Sequence, residues 1–136
     1  MADPTPFEKT SNPLSVLIVD DYADAAHSLA MLLEIGGHDV TVALSCEEAR
    51  KAVTAGPDVV LVDLGLPDGS GYDLASELRA GPDRAPVLVS LSGFNPDPER
   101  AARVGIARQF IKPVDPGVLL AYLTTCAPAR SAVKAD

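Results

Sequence analysis

Two kinds of segment alternate along most of this 136-residue chain. Five short stretches are rich in β-branched and apolar residues, and each is followed by a longer stretch whose apolar positions have helical spacing. The short stretches occupy residues 14–19, 39–43, 58–62, 86–91 and 108–111, and the helical patterns cover 22–35, 46–54, 71–80, 97–104 and 115–125. This alternation predicts an α/β fold: a doubly wound, five-stranded parallel sheet with five helices and right-handed crossovers.

Local signals support the predicted helix starts. Ser45, with Glu48 three residues later, forms a capping box for the second helix. Asp97 and Asp115 each precede a proline, and proline suits the first position of a helix. These signals therefore support the predicted starts of the second, fourth and fifth helices.

The length suits one domain, which we place at residues 14–126. Residues 1–13 contain three prolines and no periodicity, and residues 127–136 are Ala-rich and polar, so we expect a disordered arm and a flexible tail.

A net charge of −8 argues against nucleic-acid binding. No apolar run is long enough for a membrane span and no signal peptide is recognisable, so we expect a cytoplasmic protein that does not contact membranes.

Polar residues follow four of the five predicted strands at the point where each strand ends. The first strand is followed by Asp20 and Asp21, the third by Asp63, the fourth by Ser92 and the fifth by Lys112. Because the carboxyl ends of parallel strands lie at one edge of a sheet, these side chains should converge on one pocket. A single aspartate after a strand is most often a cap or turn residue, so the hypothesis depends on the four strand ends together.

Three carboxylates in one pocket repel each other, which favours recruitment of a hard divalent cation with oxygen ligands. Mg²⁺ is the expected cofactor, because it binds through one or two carboxylates together with water and a phosphate oxygen. Lys112 would add a movable positive charge for that phosphate. The residues alone therefore predict a site that handles a phosphoryl group.

In order and spacing these residues resemble the receiver domains of two-component response regulators, and are similar to the receivers of hybrid histidine kinases. The matching motifs are VLIVDD at 16–21, DVVLVDLGLPDGSG at 58–71, PVLVSLSGF at 86–94 and FIKPVDP at 110–116. Intervals of 43, 29 and 20 residues separate Asp20, Asp63, Ser92 and Lys112, again as in that family. The resemblance implies a flavodoxin-like (β/α)5 receiver fold.

The resemblance also implies roles for the site residues. Asp63 would be the phosphoacceptor, taking a phosphoryl group from a phosphohistidine on a histidine kinase or a histidine phosphotransfer protein. Lys112 and Ser92 would contact the phosphoryl oxygens, and the peptide bond after Lys112 would be cis. The chain would be a signalling domain without an output domain rather than an enzyme, with only weak self-catalysed phosphorylation and dephosphorylation.

The metal ligands implied by the resemblance are Asp21, Asp63 and the backbone carbonyl of Gly65, with Asp20 acting through a coordinated water. For phosphoryl transfer this assignment is physically reasonable, since catalysis there consists mainly of positioning and of neutralising charge on the equatorial oxygens. One Mg²⁺ and one ammonium group would supply that neutralisation.

Phosphorylation would act as a conformational switch through Ser92, Phe94 and Gln109. Many family members carry an aromatic residue three positions before the strand-five lysine, where this chain has Gln109. Strand alternation places Phe110 on the opposite face of the strand from Gln109, so Phe110 is expected in the core. An aromatic side chain that changes rotamer is therefore not expected at this position.

By the same resemblance, partner helices would dock on the first helix and on the loop after strand five. The residues expected at this docking surface are Tyr22, Ala23, Ala26, Pro113 and Val114. A patch of small and apolar residues beside the site would suit packing against a helical bundle. The chain itself would be a monomer or a weak dimer.

Two other functions stay open. A phosphohydrolase could use Asp63 as a covalent nucleophile, although hydrolases of the haloacid dehalogenase type need an Asp-x-Asp pair and a cap domain. Here Leu64 and Gly65 follow Asp63, and no cap fits in the chain. A degenerate receiver would act only as an interaction module and would show no Mg²⁺-dependent change.

Overall fold

A single parallel sheet of five strands, in the order β2-β1-β3-β4-β5, organises the molecule. The computed structural model describes residues 10–66, 71–80, 85–93 and 97–126. The strands are β1 (Ser15–Val19), β2 (Asp39–Ala43), β3 (Val59–Asp63), β4 (Val87–Ser92) and β5 (Ile106–Ile111). The helices are α1 (Ala23–Ile35), α2 (Cys46–Ala52), α3 (Gly71–Ala80), α4 (Pro98–Val104) and α5 (Pro116–Leu123), and a 3-10 turn at Val53–Ala55 follows α2.

The predicted caps form at the starts of three helices. The Ser45 side chain accepts a hydrogen bond from the Glu48 backbone N–H, and the Glu48 carboxylate accepts one from the N–H of Leu44. Asp97 caps α4 and Asp115 caps α5 in the same way. These bonds satisfy backbone donors that have no partner inside the helix, which fixes the point where each helix begins.

Helices cover both faces of the sheet and bury two apolar cores. On one face, residues such as Leu17 of β1 pack with α2, α3 and α4. On the other face, Ile18 of β1 packs with α1 and α5. Neighbouring residues of a strand therefore enter different cores, which explains why residues 16–19 of β1 and 59–62 of β3 are all apolar. Complete burial of each such side chain contributes about 1.5–3 kcal/mol.

All ten predicted segments are present, with ends displaced by at most two residues. The largest change in a strand concerns β5, which begins at Ile106 rather than at residue 108. A register shift beside Leu88 and Val89 pairs Leu88 with Ile106 but Val89 with Arg108, which leaves Ala107 without a partner in the ladder. This bulge interrupts the alternation that marks a strand in sequence.

No helix within the described residues combines the length and apolar character needed to cross a bilayer.

The expected arm and tail lie mostly at residues 1–9 and 127–136, which are outside the described part of the chain. The end of the arm contacts the domain, because the Thr10 backbone N–H donates to the carbonyl oxygen of Gly36 at 2.8 Å. Gly36 follows α1 directly, so this bond joins the residues before β1 to the turn after α1.

A buried histidine fixes the start of β1. His38 is 5% exposed, and its Nδ1 accepts a hydrogen bond from the backbone N–H of Leu14 at 3.1 Å. Nδ1 can accept only when it carries no proton. Burial also lowers the pKa of His38 from its ordinary value of 6.5, so the folded protein favours the neutral ring.

We predict that the folded protein loses stability as the pH falls below about 6.5, on the order of 1 kcal/mol from this residue. The unfolded chain protonates His38 at its ordinary pKa and the folded chain does so only at lower pH, so acid favours unfolding. Urea denaturation between pH 7.5 and pH 5.5 measures this loss. His38→Asn keeps a hydrogen-bond acceptor without titrating, so the pH dependence should become shallower. Ser28→Asn, at an exposed position on α1 that carries no titrating group, is the control and should leave the pH dependence unchanged. Equal pH dependence in wild type and His38→Asn would contradict the prediction.

Candidate functional site

Lys112 joins the ends of β1 and β3 through two ion pairs. Its Nζ donates to Asp20 Oδ2 and to Asp63 Oδ2, each at 3.1 Å. Asp20 follows β1 and Asp63 ends β3, and the sheet order makes these two strands neighbours although α1, β2 and α2 separate them in sequence. The winding direction of the sheet changes between β1 and β3, the usual location of a ligand site in such folds.

Asp20 and Asp63 also make the local turn contacts expected of an aspartate after a strand. Asp20 Oδ1 accepts from the N–H of Tyr22, and Asp63 Oδ1 accepts from the N–H of Gly65, both at 3.0 Å. Each carboxylate thus uses one oxygen for its own loop and the other for Lys112. These turn contacts hold both carboxylates in fixed orientations towards the ammonium group.

Asp21 completes a cluster of three carboxylates. One carboxylate oxygen from each of Asp20, Asp21 and Asp63 lies within 4.8 Å of the others. Asp20 and Asp63 are buried and Asp21 is exposed, so the cluster opens to solvent on one side. Oxygen ligands at this spacing, opposite the Lys112 ammonium group, fit a hard divalent cation such as Mg²⁺.

The surroundings of Lys112 act on its pKa in opposite directions. Partial burial lowers the pKa, while the hydrogen bonds and charges of Asp20 and Asp63 raise it, and the net result is a pKa above the ordinary value of 10.5. Lys112 therefore remains a cation at any physiological pH. About a third of its side chain is exposed, which leaves the ammonium group accessible to an anion entering the site.

Gly71 allows α3 to begin against the backbone that carries Asp63. A Cβ atom at Gly71 would lie 2.4 Å from the Leu64 Cα and 2.9 Å from the carbonyl oxygen of Asp63. Both distances are too short for real atoms, so only glycine fits without movement of the backbone. The start of α3 thus packs directly on the loop that positions the carboxylate.

Ser92 and Lys112 lie next to each other at the ends of β4 and β5. Ser92 is 3% exposed, and its carbonyl oxygen accepts from the backbone N–H of Lys112 at 2.7 Å. The peptide bond between Lys112 and Pro113 is cis, as expected. Of the other residues expected in the switch, Phe94 lies outside the described residues, and Gln109 is half-buried on β5.

One residue expected at the docking surface is misplaced. Ala26 is 1% exposed and belongs to the core between α1 and the sheet, so it cannot contact a partner. Helical periodicity explains the error: Ala30 and Leu33, one and two turns further on, face the same core. The four other residues remain at the surface, with Tyr22 and Pro113 exposed and Ala23 and Val114 partly buried.

Tyr72 is a residue near the site that the sequence analysis missed. Its hydroxyl accepts a hydrogen bond from Gln109 Nε2 at 3.3 Å, and the Arg100 guanidinium lies 4.4 Å from its ring centroid. Its only signal in the sequence was its place next to Gly71, because the residues that contact it come from α4 and β5. As predicted from strand alternation, Phe110 enters the core on the opposite face of β5.

Comparison with known proteins identifies the family. The profile of the response regulator receiver domain matches residues 16–124, which include every strand except the first residue of β1. The chain belongs to the response regulator receiver domain family. The site described above lies within the matched range, and receivers of this family generally bind Mg²⁺ at an acidic pocket.

Several curated response regulators are similar to this receiver. The transcriptional regulatory protein KdpE of Mycobacterium tuberculosis is 32% identical over 109 residues, which are 79% of this chain and 48% of that protein. The acid tolerance regulatory protein ActR of Rhizobium meliloti is 35% identical over 112 residues, 80% of this chain and 57% of that protein. The receiver thus spans about half the length of these relatives.

Solved structures confirm the receiver fold. A CheY-like receiver domain from Methylobacillus flagellatus matches with a TM-score of 0.75 and 32% identity, covering 84% of this chain and 98% of the other. The BeF3-activated N-terminal receiver domain of Klebsiella pneumoniae RstA matches with a TM-score of 0.73 and 26% identity, covering 82% and 97% respectively. The predicted fold class is therefore confirmed.

We predict that Lys112→Met binds Mg²⁺ about tenfold more tightly than wild type, which corresponds to about 1.4 kcal/mol. The substitution removes a cation that contacts two of the three carboxylates and repels a second cation there. Calorimetric titration with Mg²⁺ at fixed ionic strength measures the change. Lys51→Met, which removes an exposed charge in the last turn of α2, is the control. Unchanged or weaker binding by Lys112→Met would contradict the prediction.

Gly71→Ala should lower the free energy of unfolding by about 1–3 kcal/mol, because the added methyl group displaces the backbone of Asp63 and Leu64. The same displacement should weaken Mg²⁺ binding. Gly93→Ala is the matched control, since no described atom lies within 4 Å of a Cβ at that position. Denaturant titration and Mg²⁺ calorimetry on both variants test this prediction. Equal stability of the two variants would contradict it, because the backbone of Asp63 and Leu64 would then accommodate the added methyl group without loss of stability.

Proposed function

We propose that Asp63 of this receiver accepts a phosphoryl group from a phosphohistidine on a histidine kinase or a histidine phosphotransfer protein. The observation that carries the proposal is the position of the Asp63 carboxylate, 3.1 Å from the Lys112 ammonium group and clustered with Asp20 and Asp21. A nucleophilic carboxylate, a cation and two further carboxylates, gathered from the ends of three strands, are the groups that phosphoryl transfer requires.

The transfer exchanges one bond for another. A carboxylate oxygen of Asp63 attacks phosphorus, a P–O bond forms and the P–N bond of the phosphohistidine breaks. The electron pair of that bond passes to the ring nitrogen, and the imidazole leaves as a neutral group when its other nitrogen carries a proton. The Lys112 ammonium group then moves from the Asp63 oxygen to a phosphoryl oxygen. The phosphoryl group carries more negative charge than the esterified carboxyl group, so it binds the ammonium group more strongly.

The residues that would hold Mg²⁺ are Asp21, Asp63 and the carbonyl group of Gly65, with Asp20 contributing through a coordinated water. When bound, the ion supplies positive charge that neutralises the phosphoryl oxygens. Mg²⁺ fits this site because the atoms that would bind it are all oxygens, and because the exposed Asp21 leaves one side of the cluster open to solvent. Asp20 remains bonded to Lys112 and keeps the ammonium group beside the site.

Ser92 would donate a hydrogen bond from its hydroxyl to a second phosphoryl oxygen. Its burial at the end of β4, directly beside Lys112, supports this role. The receiver would act as a phosphoacceptor rather than as a multiple-turnover enzyme. Self-catalysed phosphorylation from small donors and slow hydrolysis of the aspartyl phosphate would then be its only catalytic activities.

The partner would dock beside the site on the start of α1 and the loop after β5. Tyr22 is 64% exposed and follows directly on the acidic pair, and Pro113 follows Lys112. Exposed aromatic side chains contribute strongly to protein interfaces. The contact would consist of Tyr22, Ala23, Pro113 and Val114, without the buried Ala26.

The proposal predicts one phosphoryl group per chain after incubation with acetyl phosphate and Mg²⁺, and none in Asp63→Ala. Intact-protein mass spectrometry measures the added group. Omission of Mg²⁺ should reduce labelling sharply. Asp39→Asn is the matched control, because it removes an exposed carboxylate at the start of β2, at the opposite edge of the sheet, and should leave labelling unchanged.

Full labelling of Asp63→Ala would refute the assignment of the phosphoacceptor. Release of inorganic phosphate over many turnovers from a phosphate ester would instead favour a phosphohydrolase. Absence of labelling in wild type together with absence of Mg²⁺ binding would favour a receiver that acts only as an interaction module.

A further inference from the structure

The segment at residues 10–14 precedes β1 at the end of the sheet opposite the phosphoacceptor site, and we call it the strap. The turn between α1 and β2 bonds to both of its ends. The Thr10 backbone N–H donates to the carbonyl oxygen of Gly36 at 2.8 Å, and the Leu14 backbone N–H donates to His38 Nδ1 at 3.1 Å. One turn of the chain therefore holds the strap to the domain at its first and last residues.

Between these two bonds the strap is open to solvent. Ser11, Asn12 and Pro13 are exposed. The Asn12 backbone N–H donates to Thr10 Oγ1 at 3.1 Å, a bond that lies within the strap itself. The attachment of these exposed residues to the domain therefore depends on the bonds at Thr10 and Leu14.

The bond between His38 and Leu14 exists only while the imidazole ring is neutral. Because Nδ1 accepts a hydrogen bond, the neutral ring carries its proton on Nε2. A second proton can bind only at Nδ1, which then becomes a donor that faces the Leu14 N–H donor. His38 is 5% exposed, so the imidazolium ion would also lack water around it. Protonation therefore opposes the closed arrangement for two reasons, a lost acceptor and a buried charge.

The titratable groups on the elements around His38 do not compensate this charge. Glu34 in the last turn of α1 and Asp39 at the start of β2 are exposed, so water and salt screen them. Tyr122 is the titratable side chain of α5, and its ring packs on Phe110 of β5. Within the described residues His38 forms no ion pair, and burial lowers its pKa below the ordinary value of 6.5.

A second buried acceptor, Asp58, holds the residue that follows the strap. Asp58 is 2% exposed, and its Oδ2 accepts a hydrogen bond from the Ser15 backbone N–H at 2.8 Å. Asp58 directly precedes β3 and His38 directly precedes β2, and β1 lies between these two strands. Asp58 therefore lies across β1 from His38 and fixes β1 at its first residue.

We propose that His38 is a pH switch that releases the strap from the domain in mild acid, while the sheet remains folded. When Nδ1 binds a proton, the Leu14 N–H loses its acceptor and the strap moves away, which lets water reach the imidazolium ring. In this open state His38 has the proton affinity of an exposed histidine, so acid favours opening. The proposal is independent of the phosphoacceptor function.

The backbone bonds around the switch determine what moves. The turn keeps its own bonds to α1, because the N–H groups of Gly36, Gly37 and His38 donate to carbonyl oxygens in the last turn of that helix. The Leu14 side chain is 1% exposed in the core, and its carbonyl oxygen accepts from the Asp39 N–H at 2.9 Å. Opening therefore involves the strap up to the N–H of Leu14 and ends there.

NMR spectroscopy can detect the proton and the opening separately. The chain has two histidines, so ¹⁵N-histidine labelling gives ring signals for His38 and, as a reference, for the exposed His27. In wild type we expect Nδ1 of His38 to be unprotonated at pH 7.5 and to take up a proton as the pH is lowered to 5. Over the same range the hydrogen-exchange protection factor of the Leu14 amide should fall about tenfold, while that of Leu17 within β1 stays unchanged.

Two variants test the switch from both sides. His38→Asn keeps an acceptor that does not titrate, so the protection of the Leu14 amide should no longer depend on pH. His38→Leu removes the acceptor without adding a charge, so the strap should be released at pH 7.5 as well as at pH 5. Ser28→Asn, at an exposed position on α1, is the control and should behave as wild type.

A His38 ring that takes up a proton without loss of Leu14 protection would overturn the switch, and so would a ring that stays neutral until the sheet unfolds. Loss of protection in His38→Asn equal to that in wild type would assign the pH response to another group. Equal loss at Leu14 and Leu17 would show global unfolding in place of strap release. Each of these last two results also contradicts the proposal.

Discussion

The contact of one ammonium group with two carboxylates holds this site together. Asp20 and Asp63 come from different strands, are largely buried and carry like charges, and Lys112 from a third strand lies 3.1 Å from both. Without a cation between them, two such carboxylates would repel each other at a cost that burial increases. Lys112 therefore stabilises the arrangement, and it is also the group that an incoming phosphoryl anion would attract.

The sheet makes this contact possible. The order β2-β1-β3-β4-β5 places the ends of β1 and β3 side by side and brings the end of β5 within reach of them. Apolar cores cover both faces of the sheet and fix the strands in place, and the charged residues of the site lie at the edge where the strands end.

Contacts of two consecutive residues in α3 connect the site to α4. Gly71 sets the start of α3 against the Asp63 backbone, and the next residue, Tyr72, contacts both Gln109 and Arg100. These contacts join the backbone that carries Asp63 to α4 and β5 through two consecutive residues of α3.

The sequence by itself determined the alternation of strands and helices, the capped helix starts and the polar residues at four strand ends. These are local properties, because capping, periodicity and strand length depend on residues a few positions apart. The gathering of Asp20, Asp63 and Lys112 could also be inferred, since parallel strands end at one edge. The burial of Ala26 could likewise have been predicted, since Ala30 and Leu33 follow it at helical spacing. Only the tertiary structure decided that β5 begins with a bulge, that Lys112 bridges two carboxylates, and that Tyr72 contacts Gln109 and Arg100. Each of these depends on which side chains from distant segments occupy the same space, and no local pattern records that.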